Sequence, residues 1–225
     1  MARRIRKRVR WMLASREARR HALVGTLRHW KSRRAFQIGF LKKSGLRPAH
    51  YLLDIGSGTL RGGLPLIAYL EPGHYYGVEV RSDVFEEGLK ELREARLQGK
   101  RPVLRLERDL YALDLGQKFE FVWAYNLLIH LTDDRLEDCL RLVARHLADG
   151  GIFFATVNLG ARRDGKWREF PLVFRPLEFY AQTVDRHELR ATDVGRMLDL
   201  GVSSDDPKIR AAQHMLRFEH RSTQA

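Results

Sequence analysis

Residues 51–63 read YLLDIGSGTLRGG and are the most informative segment of the chain for its fold. An apolar run leads into clustered glycines and a helical pattern follows, which is the order of strand, loop and helix around a bound ligand. The spacing differs from the dinucleotide pattern G-x-G-x-x-G, because three residues separate Gly58 from Gly62. An acidic residue, Asp54, also lies two positions before the first glycine. The ligand of this loop must therefore be inferred from its charge.

The carboxylate of Asp54 argues against a ligand that presents phosphates to the loop. In a dinucleotide site the helix N-terminus faces pyrophosphate, and an acid at the end of the preceding strand would repel it in a partly dry site. With a cationic or zwitterionic ligand, the electrostatic interaction with Asp54 would be attractive instead. S-adenosylmethionine carries no phosphate, and its ammonium group can face Asp54 directly or through water. The backbone of Gly56, Ser57 and Gly58 would then approach this ligand closely.

Residues at the ends of the following predicted strands complete this hypothesis. Glu79 ends the second strand, where a carboxylate can accept hydrogen bonds from both ribose hydroxyls. Asp109, beside Leu110, follows the third strand and can accept a hydrogen bond from the adenine amino group. The fourth strand ends in Tyr125 and Asn126, which we expect on the floor of the site near the sulfonium.

Strands and helices alternate along the chain after residue 50. The patterns predict strands at about 50–55, 74–80, 102–107, 119–125 and 152–158, and helices at about 61–70, 83–97 and 133–148. A helix at 176–187 and strands at 188–196 and 213–220 would close the sheet as an antiparallel hairpin. The chain is therefore predicted to be an α/β protein with a doubly wound, Rossmann-like, mostly parallel seven-stranded sheet.

Taken together, these segments resemble the class I S-adenosylmethionine-dependent methyltransferases. The resemblance covers residues 36–158 and is carried by residues 53–58 (LDIGSG), 77–79 (GVE), Asp109, 121–131 and 147–151 (LADGG). Many members of the family have cysteine where this chain has Ser57, and both side chains are small. The resemblance implies the fold of this family and S-adenosyl-L-methionine as cofactor. The histidines are scattered without a metal-binding spacing, so no metal site is predicted, and whether a divalent metal assists the reaction is left open. A degenerate Rossmann domain without cofactor is the alternative.

Residues 126–134, NLLIHLTDD, form the predicted lip of the active site. His130 is the candidate general base for a hydroxyl acceptor, because it follows the strand that points to the sulfonium. A histidine here can also serve only to brace the loop, and Asp133 or Asp134 could orient the imidazole or act as the base. The motif N-P-P-[YF] of many amino-methylating enzymes is missing from this position, which argues against N-methylation of nucleic acid bases.

Residues 159–180 form a segment rich in arginine and aromatic residues beyond the fifth strand, and we interpret it as a substrate lid. Aromatic rings of this segment could stack on sugars, and its guanidinium groups could bind hydroxyls or an acidic group. The predicted substrate-binding residues are Arg162, Arg163, Trp167, Arg168 and Tyr180. The alternative is an ordinary loop whose aromatic side chains fill the core.

Positive charge is concentrated at the N-terminus of this 225-residue chain, whose formal net charge is +13. Residues 1–50 contain 16 lysines and arginines and one acid, a balance of +15, whereas the rest contains 25 basic and 27 acidic residues, a balance of −2. We therefore divide the chain into a basic helical arm, 1–34, and a methyltransferase domain, 35–225. The arm could pack on the domain, bind an anionic membrane surface or bind the phosphates of a nucleic acid.

The resemblance implies a methyltransferase, and together with the residues above it leads us to predict an O-methyltransferase that acts on a hydroxyl of a small or oligomeric acceptor. A saccharide is favoured by analogy with generic methyltransferases of this family. Two alternatives stay open: a methyltransferase for RNA or another polyanion recruited by the arm, and a non-catalytic, cofactor-binding regulatory protein. Cys139 is the single cysteine and lies on a predicted buried helix face, so a reducing, cytoplasmic setting is expected, with peripheral membrane binding as an option. No apolar run approaches the roughly 20 residues of a transmembrane helix. The sequence leaves the acceptor and the oligomeric state open.

Overall fold

The computed structural model describes residues 23–24, 29–202 and 211–221. The strands are β1 (Leu52–Ile55), β2 (Tyr75–Glu79), β3 (Val103–Leu106), β4 (Phe119–Ala124), β5 (Leu147–Asn158), β6 (Gly165–Trp167), β7 (Phe170–Leu172), β8 (Leu189–Arg196) and β9 (Gln213–His220). The helices are α1 (Trp30–Lys43), α2 (Gly63–Tyr69), α3 (Ser82–Glu94), α4 (Asp133–His146) and α5 (Leu177–Asp185). Short 3₁₀ turns lie at Gln98–Lys100 and Leu128–His130.

Seven of the strands form one sheet in the order β3-β2-β1-β4-β5-β9-β8. The pairs from β3 to β5 are parallel, and β9 runs antiparallel to both β5 and β8. The strand order reverses between β1 and β4, and ligands bind at such switch points in open α/β sheets. The predicted doubly wound sheet with its antiparallel C-terminal hairpin is confirmed.

The sheet buries one apolar layer on each face. Side chains alternate between the two faces along β1, so Leu53 packs with α4 and α5, whereas Leu52 packs with α1 and α2. Cys139 lies in the first layer, fully buried, and burial raises the pKa of its thiol to about 12. Cys139 is therefore a core residue, as its place on the predicted helix face indicated.

Two element boundaries differ from the sequence-based expectation. α1 begins at Trp30 and continues across residue 34, where the arm was expected to end. The indole of Trp30 is buried, with 6% of the residue exposed, so the first turn of α1 is part of the packed core. β5 begins at Leu147 rather than at 152, because Leu147 already pairs with Phe119 before a register shift in the ladder. Residues 1–22 and 25–28 of the expected arm lie outside the described part of the chain.

The segment 159–180, expected to be a lid, contains an antiparallel hairpin of its own. β6 and β7 pair with each other and do not join the main sheet. The hairpin is attached to the end of β4 by a hydrogen bond of 2.9 Å from the amide of Val173 to the carbonyl of Ile129. Arg175 reinforces this attachment through ion pairs with Asp133 and Asp164.

Candidate functional site

A cleft of about 860 Å³ opens at the carboxyl ends of the central strands. Its walls come from the glycine loop after β1, the end of β2, the end of β4 with its 3₁₀ turn, and the β6–β7 hairpin. Ten predicted site residues line it: Asp54, Gly56, Ser57, Gly58, Glu79, Leu110, Tyr125, Asn126, His130 and Trp167. The sheet thus brings together residues that are more than 100 positions apart in the sequence.

The remaining predicted site residues do not line this cleft. Asp109 accepts hydrogen bonds from the amides of Tyr111 and Ala112 at 3.1 and 3.2 Å and so caps the turn after β3. Asp133 is paired with Arg175 at 2.9 Å. These local and hairpin contacts, rather than the cleft, determine where the two carboxylates lie.

The predicted substrate residues also separate into two groups. Only Trp167 reaches the cleft, whereas Tyr180 is 1% exposed and belongs to the core under α5. Tyr180 is therefore removed from the candidate site. The cleft lining also excludes four exposed residues, namely Asp134, Arg162, Arg163 and Arg168.

The glycine loop is fixed to the end of β2 by its own backbone. The amides of Gly56 and Ser57 both donate to the carbonyl of Val78, at 2.8 and 3.0 Å. Gly58 has a φ of 61°, a left-handed conformation that suits glycine. The unusual spacing to Gly62 has a packing cause, because a Cβ there would lie 2.2 Å from Oε1 of Gln37 on α1.

Glu79 is held rigidly beside this loop. Its Oε2 accepts a hydrogen bond of 2.9 Å from the amide of Gly58. Its Oε1 accepts hydrogen bonds from the amides of Val80 and Arg81, at 2.9 and 3.0 Å. Burial raises the pKa of Glu79, and these backbone hydrogen bonds oppose the shift. A carboxylate oxygen has more than one acceptor position, so Oε2 can also accept a hydrogen bond from a hydroxyl group of a ligand.

Asp54 is a buried acid with one neutral hydrogen-bond donor. The hydroxyl of Tyr75 donates to its Oδ2 at 2.6 Å, and the residue is 4% exposed. Burial raises the pKa of Asp54 to about 7, and the negative charge of Glu79 adds to the shift, whereas Tyr75 and Arg61 oppose it. A cation in the cleft would favour the ionised form of this carboxylate.

Two arginines that were not predicted as site residues form a cationic wall of the cleft. Arg61 follows the glycine loop, is 8% exposed, and lies over the rings of Trp30 and Tyr125 at 5.2 and 5.8 Å. Arg33 comes from α1 and also lines the cleft. Arg61 belongs to the glycine-rich segment 51–63, so its place in the site could have been predicted from the sequence. Arg33 enters the site only because α1 folds over the ends of β1 and β4.

His130 lies in the 3₁₀ turn after β4, with one ring nitrogen engaged. Its Nδ1 is 2.6 Å from the carbonyl oxygen of Pro171, and a carbonyl can only accept, so Nδ1 carries the proton. In the neutral ring this leaves a lone pair on Nε2. Burial lowers the pKa of His130, and the hydrogen bond to Pro171 opposes the shift. The neutral, basic form is therefore favoured near pH 7.

Aromatic rings of the hairpin surround His130. The centroids of Trp167 and Phe170 lie 5.6 and 6.0 Å from the imidazole and 6.3 Å from each other. These two residues are paired across the hairpin. Arg81 lies over the ring of Phe170 at 5.3 Å and connects the hairpin to the end of β2. The hairpin thus presents flat apolar faces next to a basic nitrogen.

The described residues contain neither a metal centre nor a bilayer-spanning helix. No group of three or more His, Cys, Asp or Glu side chains in the described ranges could hold a metal ion. None of the helices described is long and apolar enough to cross a membrane.

Comparisons with known proteins agree with this geometry. Residues 53–153 match a family model described as a methyltransferase domain. The CcbJ methyltransferase from Streptomyces caelestis has a TM-score of 0.63 at 16% identity, over 84% of this chain and 90% of that chain. No match is found among curated proteins.

Two other similar structures contain bound ligands. The magnesium protoporphyrin IX methyltransferase ChlM from Synechocystis PCC 6803, with bound SAH, has a TM-score of 0.63 at 14% identity, over 85% of this chain and 83% of that chain. The glycopeptide N-methyltransferase MtfA, in complex with S-adenosylmethionine, has a TM-score of 0.62 at 13% identity, over 83% of this chain and 93% of that chain. At these identities the likeness establishes the fold alone.

Proposed function

We propose that this chain, a member of the class I S-adenosylmethionine-dependent methyltransferases, transfers the methyl group of its cofactor to a hydroxyl oxygen of the acceptor. Its cofactor is S-adenosyl-L-methionine. When bound, the cofactor supplies an electrophilic methyl group on a sulfonium centre. Everything else in the reaction depends on how the residues of this chain hold the two molecules and move one proton.

The lining of the cleft fits this cofactor. Asp54 is a buried acid that a cationic ammonium group would stabilise in its ionised form. Glu79 is fixed by three backbone amides and has acceptor capacity left for ribose hydroxyls. Leu110 and Val80 provide apolar surface beyond β2, where a planar base would lie.

One observation carries the proposal of O-methylation. The Nδ1–H···O contact between His130 and Pro171 leaves the lone pair of His130 on Nε2, beside the cleft. A hydroxyl group attacks slowly unless a base takes its proton, and proton transfer of this kind contributes about 10²–10⁴-fold to a rate. In the proposed reaction the acceptor oxygen bonds to the methyl carbon, the carbon–sulfur bond breaks, and Nε2 takes the hydroxyl proton.

The hairpin supports a saccharide as acceptor. Sugars have apolar ring faces and polar edges, which suits the faces of Trp167 and Phe170 next to polar residues. Arg135 and Asp138 line the same cleft and can bind sugar hydroxyls. By their names, MtfA and ChlM act on a glycopeptide and on a magnesium porphyrin, so the acceptor class of this chain rests on its own residues.

A second candidate is a methyltransferase that acts on a polyanion recruited by the basic arm. The observation that favours it is the position of Leu23 and Val24, two residues of the expected arm that line the cleft. A partner bound by the arm would therefore be brought near the reaction site. Phosphate contacts of this type weaken steeply with salt, whereas saccharide binding does not.

The experiment that tests O-methylation uses S-adenosylmethionine with a ¹³C-labelled methyl group. The protein is incubated with this cofactor and, separately, with a pool of oligosaccharides and with total RNA. Carbon–proton correlation spectra then distinguish methyl groups on oxygen, nitrogen and sulfur. We expect O-methyl signals from the saccharide pool, and N-methyl signals alone would contradict the proposal. Transfer only to RNA, lost at high salt, would support the second candidate.

A further inference from the structure

Hydrogen bonds at the base of the β6–β7 hairpin converge on the guanidinium group of Arg175, a residue that follows β7. Its Nε and Nη2 donate to Oδ1 of Asp133 at 3.0 and 2.9 Å. Its Nη1 donates to Oδ1 of Asp164 at 2.7 Å and to the carbonyl of Phe174 at 2.8 Å. Because Asp164 precedes β6 and Asp133 begins α4, Arg175 joins both ends of the hairpin to the start of this helix.

Asp133 connects this cluster to His130, because it lies only three residues after the histidine in the same turn into α4. Two further hydrogen bonds join this turn to the strand that leads to Arg175. The amide of Val173 donates to the carbonyl of Ile129 at 2.9 Å. Nδ1 of His130 donates to the carbonyl of the hairpin residue Pro171 at 2.6 Å. The turn that carries the imidazole and the strand that carries its hydrogen-bond acceptor are thus held side by side.

The position of the hairpin determines which neutral form His130 adopts. A neutral imidazole has two tautomers, and the one with its proton on Nε2 cannot accept a proton there. The carbonyl of Pro171 selects the other tautomer only while it stays within hydrogen-bond distance, since such bonds weaken steeply with poor geometry. The hairpin does not join the main sheet, so its position relative to the turn depends on contacts of this kind.

The cluster around Arg175 is better ordered than an isolated surface ion pair, which contributes little to stability. The side chain of Arg175 is 21% exposed, and its planar guanidinium group binds two carboxylates at once, which fixes its orientation. The ring of Phe179 on α5 lies 5.6 Å from this group. The hydrogen bond from Arg175 lowers the pKa of Asp164, so this carboxylate stays ionised through the pH range in which a histidine titrates.

We infer that Arg175 is a positioning residue for His130. By fixing the hairpin to the start of α4, it holds the carbonyl of Pro171 against Nδ1 and so keeps the lone pair of the imidazole on Nε2. The lining of the cleft does not include Arg175, so this residue acts through His130 and not on a substrate. The inference rests on the proposed function for the purpose of that lone pair, whereas the tautomer itself can be measured without an acceptor.

The test measures the tautomer of His130 in long-range proton–nitrogen correlation spectra of protein with ¹⁵N-labelled histidine, at about pH 8, where the ring is neutral. The chain has nine histidines, and the signals of residue 130 are identified by their loss in His130→Gln. Spectra are compared for the native protein, Arg175→Gln and Asp133→Ala. The control is Arg190→Gln, which removes an exposed ion pair of 3.3 Å with Glu219 outside the cleft.

We expect the native protein and Arg190→Gln to show His130 with a protonated Nδ1 and an unprotonated Nε2. In Arg175→Gln and in Asp133→Ala the ratio of this tautomer to the other should fall by about 2- to 13-fold, the range for one lost hydrogen bond. Transfer of labelled methyl groups to the oligosaccharide pool should slow in the same two variants. Arg175→Lys should retain part of the native ratio, because lysine restores the charge without the forked donors.

An unchanged tautomer in Arg175→Gln and Asp133→Ala would overturn the assignment, even if methyl transfer slowed, because Arg175 would then support only the hairpin. If Arg175→Gln does not fold, Asp133→Ala removes the same ion pair from its other side and decides the question. A shifted tautomer with an unchanged rate of transfer would uphold the role of Arg175 and contradict the role of His130 as the base. The two proposals therefore fail separately.

Discussion

The hydroxyl of Tyr75 lies 2.6 Å from Oδ2 of Asp54, and both residues are buried beneath the glycine loop. They sit at opposite ends of neighbouring strands, since Tyr75 begins β2 and Asp54 lies near the end of β1. The tyrosine supplies one hydrogen bond and no charge. Burial destabilises the ionised carboxylate more than Tyr75 and the charge of Arg61 stabilise it, and this raises the pKa of Asp54 to about 7.

The first prediction concerns the pH dependence of cofactor binding. An ammonium group binds the ionised form of Asp54, and that form is lost as the pH falls through about 7. The affinity for S-adenosylhomocysteine should therefore fall below pH 7, by up to about tenfold per pH unit. Calorimetry between pH 5.5 and 8.5 checks this, with 5′-methylthioadenosine, which has the same nucleoside but no amino acid end, as a pH-insensitive control. Affinities that do not change with pH for either ligand would show that Asp54 does not bind the ammonium group.

The second prediction concerns the stability of the ligand-free protein. Because the folded pKa of Asp54 lies above its unfolded value of 3.8, the folded state holds the proton between pH 4 and 7. This acid therefore lowers the free energy of unfolding progressively as the pH rises through that window. Asp54→Asn should be more stable than the native protein at pH 8, by about 1–3 kcal/mol, and equally stable near pH 4. Urea unfolding at both pH values measures this, and a variant less stable at pH 8 would contradict the assignment.

The third prediction concerns Glu79. Glu79→Ala removes the acceptor of three backbone amides and the acceptor for the ribose. Both S-adenosylhomocysteine and 5′-methylthioadenosine should bind about 10- to 150-fold more weakly, because both contain the ribose. Glu79→Gln, which keeps an acceptor oxygen, should lose less affinity for both ligands than Glu79→Ala. Unchanged affinity in the alanine variant would mean that this residue does not hold the nucleoside.

The fourth prediction concerns the boundary between the arm and the domain. Deleting residues 2–34 removes the buried Trp30 and the cleft residue Arg33. The free energy of unfolding should fall by about 3–5 kcal/mol, as for loss of a buried tryptophan side chain. A deletion of 2–22 keeps every residue that the structure describes and serves as the control. Equal stability and equal cofactor affinity in the two deletions would support a domain boundary at residue 34.

The sequence predicted those features that depend on local pattern. Strands such as β4, buried on both faces, have continuous apolar runs, and the glycine loop is recognisable from its residues alone. Asp54, Glu79 and His130 lie in the cleft because strand ends carry them there. These positions follow from strand order and from the parallel direction of the strands.

The features that were missed depend on contacts between distant segments. Arg33 reaches the cleft only because α1 packs over the sheet, and Asp133 is drawn away from it by Arg175, 42 residues later. Tyr180 belongs to a segment whose aromatic residues serve both the core and the hairpin. Residue type and spacing could not distinguish these two roles, because both bury aromatic rings.

The most direct test of the account compares kcat for the native protein and His130→Gln across pH, with saturating cofactor and the saccharide acceptor. The neutral form of His130 is the base, so kcat of the native protein should fall as the pH drops through a pKa below the ordinary histidine value of about 6.5. In His130→Gln, kcat should fall by about 10²–10⁴-fold and lose this dependence, with unchanged affinity for S-adenosylhomocysteine. A variant with near-native kcat and the same pH profile would contradict hydroxyl activation by His130 and reduce this residue to a brace between the 3₁₀ turn and the hairpin.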